Sequence, residues 1–127
     1  MFNRERVSTY LCMTKDVGVG GTLFGGRMMA WMDEAAGIFA IQYAGMPRMV
    51  TLRFDEMLFR HPVRVGDIVE FFVRNPKLGR TSLSFELEGH VRDTIVIETE
   101  CTFISVDADG HSLEITRPAP GELAEDG

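Results

Sequence analysis

From residue 23 to residue 44 the chain runs through apolar and small side chains, broken only by Arg27, Asp33, Glu34 and Gln42. A helix apolar on nearly every side needs cover on nearly every side. Gly45 and Pro47 end the segment, as glycine and proline do just past a helix. No second helical period of comparable length follows it. The cover for this helix must therefore be a curved antiparallel sheet wrapped round it.

The flanking segments read as strands. Residues 5–13 alternate, with Val7, Thr9, Leu11 and Met13 predicted on one side. Residues 15–22 carry Gly18, Gly20 and Gly21 and read as a loop. Residues 49–59 place Val50, Leu52 and Phe54 on one face, and residues 67–74 follow the Pro62 to Gly66-Asp67 turn. Residues 81–92 set Leu83, Phe85 and Leu87 against Ser82, Ser84, Glu86 and Glu88. Residues 94–106 set Ile95, Ile97, Cys101 and Phe103 against Glu98 and Glu100. The order predicts an α+β protein: one long central helix wrapped by a curved antiparallel sheet of five or so strands. Residues 1–117 read as one domain and residues 118–127 as a mobile tail. Open sheet edges point to a homo-oligomer.

The chemistry concentrates at the front of the helix. Gly25-Gly26 opens it, where backbone N–H groups are free to bind developing negative charge. Asp33 lies within it, and burial there would push its pKa upward. An oxyanion donor and a buried acid are the parts that acyl transfer needs. Asp33 stands eight residues after Gly25, about 12 Å along the axis. Donors must lie within about 3 Å of the oxyanion. One helix cannot serve both ends of one substrate, so the spacing predicts a site shared by two chains. The other reading of Asp33 is a pairing with an arginine, or a cap across a dimer.

Gly-Thr-Leu-Phe-Gly-Gly at 21–26 followed by Trp31-Met32-Asp33-Glu34-Ala35 resembles the signature of the hotdog-fold acyl-CoA thioesterases. The similarity extends through Val50-Thr51, Phe54-Asp55, Phe59 to Asp67, Leu78-Gly79-Arg80-Thr81-Ser82 and Arg117-Pro118. It points to the branch of brain-type and bacterial broad-range acyl-CoA hydrolases. The resemblance implies a dimer with one continuous sheet, often a trimer of dimers. It implies hydrolysis of acyl-CoA to free acid and CoA, without metal or bound cofactor. Asp33 would be general base or nucleophile, and Gly25 and Gly26 the oxyanion site. Coenzyme A would be held by Thr51, Arg53, Gly79, Arg80, Thr81, Ser82 and Arg117; for a lone arginine the alternative is a solvated surface group. The chain departs from the family at Gly18, where that branch carries an asparagine. The enzyme could be slow, Thr22, Thr51 or His61 could stand in for the asparagine, or the protein could bind acyl-CoA without efficient turnover.

A net charge of −6 argues against a nucleic-acid partner. The first six residues lead straight into the first strand pattern, and the long apolar run stops at Asp33-Glu34, short of a bilayer's width. These features, with Cys12 and Cys101 read as buried thiols, predict a cytoplasmic protein without a membrane role. Dinucleotide, P-loop, nucleophile-elbow and redox-cysteine motifs are missing. His61, His90 and His111 lack ligand spacing for a metal. A hotdog dehydratase would need a helix histidine, and residues 23–44 contain none.

Overall fold

The computed structural model describes residues 4–116. Arg117 and the segment 118–127 read as a tail lie outside the described residues. Strand β1 (Glu5–Leu11) leads through a short 3-10 turn (Thr14–Asp16) to helix α1 (Gly25–Ala44). Then follow β2 (Met49–Phe54), β3 (Leu58–Phe59), β4 (Ile68–Leu78), β5 (Ser82–Val91) and β6 (Thr94–Ser105). All pairings are antiparallel, in the order β1-β4-β5-β6-β2, with β3 also on β6. No helix among the described residues is long and apolar enough to cross a membrane.

The core lies between the helix and the sheet's inner face. Met28, Trp31, Met32, Ala35, Ala36, Phe39, Ala40 and Ala44 project from α1 onto Val69, Phe71, Val73, Leu83, Phe85, Leu87, Ile97, Cys101 and Phe103. The spacing of the helix set is that of one face. Burying each large side chain contributes about 2–3 kcal/mol. Trp31 stacks on Tyr10 with centroids 5.0 Å apart, and Phe39 meets Phe85 edge-on at 4.9 Å. The Gly45 N–H closes the helix on the Ile41 carbonyl from a left-handed conformation, which glycine adopts without a Cβ penalty.

Four expectations are corrected. The helix is not covered all round: Met29, Ile38 and Ile41 stay exposed in the single chain, because one sheet can cover only one face of a helix. In β1 the predicted phase is reversed. A register shift between Arg6 and Ser8 turns Tyr10 and Cys12 inward and leaves Leu11 and Met13 exposed, since one extra residue flips every later side chain. The segment 49–59 is two strands, and a shift between Thr51 and Arg53 leaves Val50 and Leu52 exposed. Glu88, expected on the solvated face, is buried. It accepts a hydrogen bond from His90 Nε2 at 2.8 Å, with Arg74 Nε at 3.1 Å. Pairing is what allows a carboxylate to be buried there.

Candidate active site

The start of α1 has no side-chain cap. Phe24 occupies the N-cap position without an acceptor, and its carbonyl takes the Arg27 and Met28 N–H groups. The Gly25 and Gly26 N–H groups have no partner among the described residues. The first turn carries no acidic residue to occupy them. Two amide donors at the positive end of a twenty-residue helix are thus left for something else.

Buried Asp16 fixes this end in place. Its carbonyl accepts from Phe24 N at 2.9 Å, its carboxylate from Met13 N at 2.9 Å, and Arg27 Nε stands 3.3 Å away. Sequence reasoning missed Asp16. The signal was a carboxylate just ahead of the glycine loop with an arginine in the helix's first turn.

The two glycines differ. A Cβ on Gly26 would stand 2.7 Å from Phe24 Cε2, so this glycine admits the Phe24 ring. A Cβ on Gly25 would meet nothing within 4 Å. Nothing in the chain's own packing requires glycine at 25. It lines a cleft of about 300 Å³ with Thr22, Leu23, Met28 and the strap from Phe59 to Val63.

Asp33 is exposed in the single chain, which corrects its expected burial by the chain itself. It accepts a hydrogen bond from Thr51 Oγ1 at 2.8 Å. The helix and β2 thus bring these two predicted residues together. Asp33 and Gly25 lie at different levels of one helix and do not converge. The charge of Asp33 reaches the buried Cys101 thiol, whose pKa rises chiefly through burial and secondarily through Asp33. The neighbouring Glu34 accepts the Tyr10 hydroxyl. Burial and this bond push the Tyr10 phenol up to about 12.

The predicted CoA residues fall in separate places. Gly79, Arg80, Thr81 and Ser82 form the hairpin between β4 and β5, closed by Gly79 N–H to the Ser82 carbonyl at 2.8 Å. The Arg80 and Thr81 carbonyls accept from Ile115 N and Ser105 N, which holds the hairpin rigid. The Arg80 side chain is open to solvent, with only Glu114 at 3.9 Å as an ion-pair partner among the described residues. Arg53 Nε pairs with Asp55 at 3.2 Å. None of these residues lines the cleft at Gly25. Asp107, Asp109 and His111 cluster their ligand atoms within 4.8 Å of one another. A turn accounts for the cluster, with the Asp107 carboxylate accepting the Asp109 and His111 N–H groups.

One long helix packed on a six-stranded antiparallel sheet is the hotdog fold. The chain belongs to the thioesterase superfamily, whose family model matches residues 20–98. It is 34% identical over 125 residues to the acyl-CoA thioester hydrolase YciA of Salmonella typhimurium, across 91% of this chain and 90% of the relative. Among solved structures it is similar to the hexameric thioesterase y2039 from Yersinia pestis, at 32% identity and a TM-score of 0.84. That likeness covers 93% of this chain and 100% of the other. A hexameric broad specificity acyl-coenzyme A thioesterase, solved as an aspartate-to-alanine mutant enzyme, superposes with a TM-score of 0.84 at 30% identity. The match spans 95% of this chain and 93% of that one.

Proposed function

We propose that this protein hydrolyses acyl-CoA thioesters to a free carboxylic acid and CoA, at a site completed by two copies of the chain. The observation that carries the reading is the pair of unpartnered amides at Gly25 and Gly26, with Gly25 lining a cleft at the start of the helix. The amides receive the thioester carbonyl and stabilise the tetrahedral oxyanion. Asp33 of the second copy attacks from the other side, as base on water or as nucleophile. Thr51 holds that carboxylate by its hydrogen bond. Arg80, on the rigid hairpin of Gly79, Thr81 and Ser82, meets the CoA phosphates, where its planar fork suits a bidentate bond. Arg53 and Arg117 are further candidates for phosphate contact. The reading calls for no metal and no cofactor beyond CoA itself.

Two separate exposed apolar surfaces fit a trimer of dimers. Met29, Ile38 and Ile41 on α1, with Val50 and Leu52 on β2, suit a dimer that continues the sheet across the β2 edge. Leu11, Met13, Val65 and Ile68 lie toward the β1 edge and suit the second kind of interface a closed hexamer needs. The relatives named as hexamers are consistent with this assembly.

The test is thiol release from acyl-CoAs of short, long and aromatic acyl groups, with Asp33→Asn as the control. Release by the wild type, lost in the variant at unchanged assembly, supports the reading. CoA binding without release from any thioester makes the protein an acyl-CoA binder. Full turnover by Asp33→Asn refutes the role of Asp33.

A further inference from the structure

We propose that His61 is a catalytic residue, donating the side-chain hydrogen bond to the thioester carbonyl beside the Gly25 and Gly26 amides. The inference rests on the thioesterase reading and adds a group to its oxyanion site. Two segments face each other across the start of α1. One is the loop Gly18-Val19-Gly20-Gly21, which offers no side-chain donor. Val19, its only side chain, is fully exposed. The other is the strap Phe59–Val63, which lines the same cleft as Gly25.

The strap's backbone is held at both ends. Arg60 N and His61 N reach the Val96 carbonyl at 2.8 and 3.4 Å, and the Val63 carbonyl accepts from Leu23 N at 2.7 Å. Pro62 stiffens the segment between these anchors, and Val63 is buried. A backbone this constrained is suited to presenting one side chain in a fixed place.

Three polar side chains line the cleft: Thr22, Arg60 and His61. Arg60 is committed elsewhere, its Nε on Glu98 at 2.9 Å. Thr22 has a short hydroxyl on a loop whose carbonyl is already bound by Gly18 N. The exposed His61 ring makes no hydrogen bond or ion pair with any described residue, and it lines the cleft together with Gly25, whose amide also lacks a partner. Thr51 is excluded by its bond to Asp33 and by its absence from the cleft lining. His61 is thus the long polar side chain of the cleft that makes no bond to any described residue, whereas Arg60 is held toward Glu98 on β6. During attack its ring N–H accompanies the growth of negative charge on the carbonyl oxygen. No proton need be transferred: as the tetrahedral intermediate collapses, CoA leaves as the thiolate.

The experiment compares His61→Ala, His61→Gln and Thr22→Val with the wild type, with kcat and KM determined separately for one acyl-CoA. Asp33→Asn runs alongside, so loss of the thioesterase reading is seen independently of His61. Removing an oxyanion donor lowers kcat by about 100- to 1000-fold. His61→Ala is expected to show that loss with KM within about threefold, and His61→Gln, which keeps an N–H donor, to recover at least tenfold of it. Thr22→Val is expected to stay near wild type; a loss of about 100- to 1000-fold in its kcat, with His61→Ala near wild type, would give the donor to Thr22 and overturn the proposal. A His61→Ala enzyme with wild-type kcat overturns the proposal, whether or not its KM changes. So does a loss that His61→Gln does not relieve at unchanged assembly and melting temperature.

Discussion

Substituting Gly25 by alanine should move stability and activity in opposite directions. A Cβ at 25 meets no atom within 4 Å, and its φ is outside the left-handed range. Alanine there relieves the entropic cost of glycine at a helical position, a gain of about 0.5–1 kcal/mol. For a domain of this size that raises Tm by about 2–4 °C. The same methyl projects into space the site needs. A carbonyl must come within about 3 Å of the amide nitrogen to accept its hydrogen bond. Loss of one such donor lowers kcat about 100-fold, equivalent to roughly 2.7 kcal/mol of transition-state stabilisation. The assays are a thermal melt of the assembled protein and steady-state thiol release. A stabilised variant with wild-type kcat would mean that the cleft at Gly25 is not where the carbonyl binds. A destabilised variant would mean that protein, from this chain or its neighbour, fills the space.

Three further outcomes are expected. Above pH 9.0 the unfolded chain loses the Cys101 proton while the buried thiol keeps its own. The folded state then binds more protons, so stability falls by about 1.4 kcal/mol per pH unit. Tyr10 works in the same sense from pH 10.0 to about 12. Urea midpoints measured from neutral pH to about pH 10 should flatten in Cys101→Ala. Glu88→Ala should leave His90 without its acceptor and Arg74 without its ion-pair partner, and cost about 2 kcal/mol of stability in urea titration, with kcat unchanged. Gly18→Asn should fold normally, since its Cβ would stand 3.5 Å from Phe24, an ordinary contact. It should raise kcat more in a His61→Ala background than in the wild type, because either residue can supply the same donor; equal gains in both would show that the two act independently.

Much of this molecule was readable from local pattern. The helix end at Gly45 and the β5 alternation of Leu83, Phe85 and Leu87 follow from turn chemistry and period alone. The phase of β1 was not readable. Val7, Thr9, Leu11 and Met13 alternate as a buried face would, and only pairing with β4 shows the shift that turns Tyr10 inward. The break between β2 and β3 was hidden for the same reason: a bulge belongs to a pair of strands, not to one. The burial of Glu88 depends on His90 and Arg74, and Arg74 comes from the neighbouring strand.

The candidate site divides in the same way. Gly25-Gly26 and Asp33 were visible because helix geometry is local: residue spacing alone says that they lie two turns apart and cannot meet on one chain. Asp16, Thr51 and His61 gained their places from contacts between distant segments. Asp16 holds the helix start, Thr51 reaches Asp33 from β2, and Val96 and Leu23 anchor the strap that carries His61. The sequence by itself determined the elements, their order and the chemistry at the head of the helix, because period, capping and turn preference act within a few residues. Only the tertiary structure decided which face each strand turns inward, which side of α1 stays open for another copy, and which free donor shares the cleft with Gly25. Those depend on strand register and packing between distant residues, which no local pattern encodes.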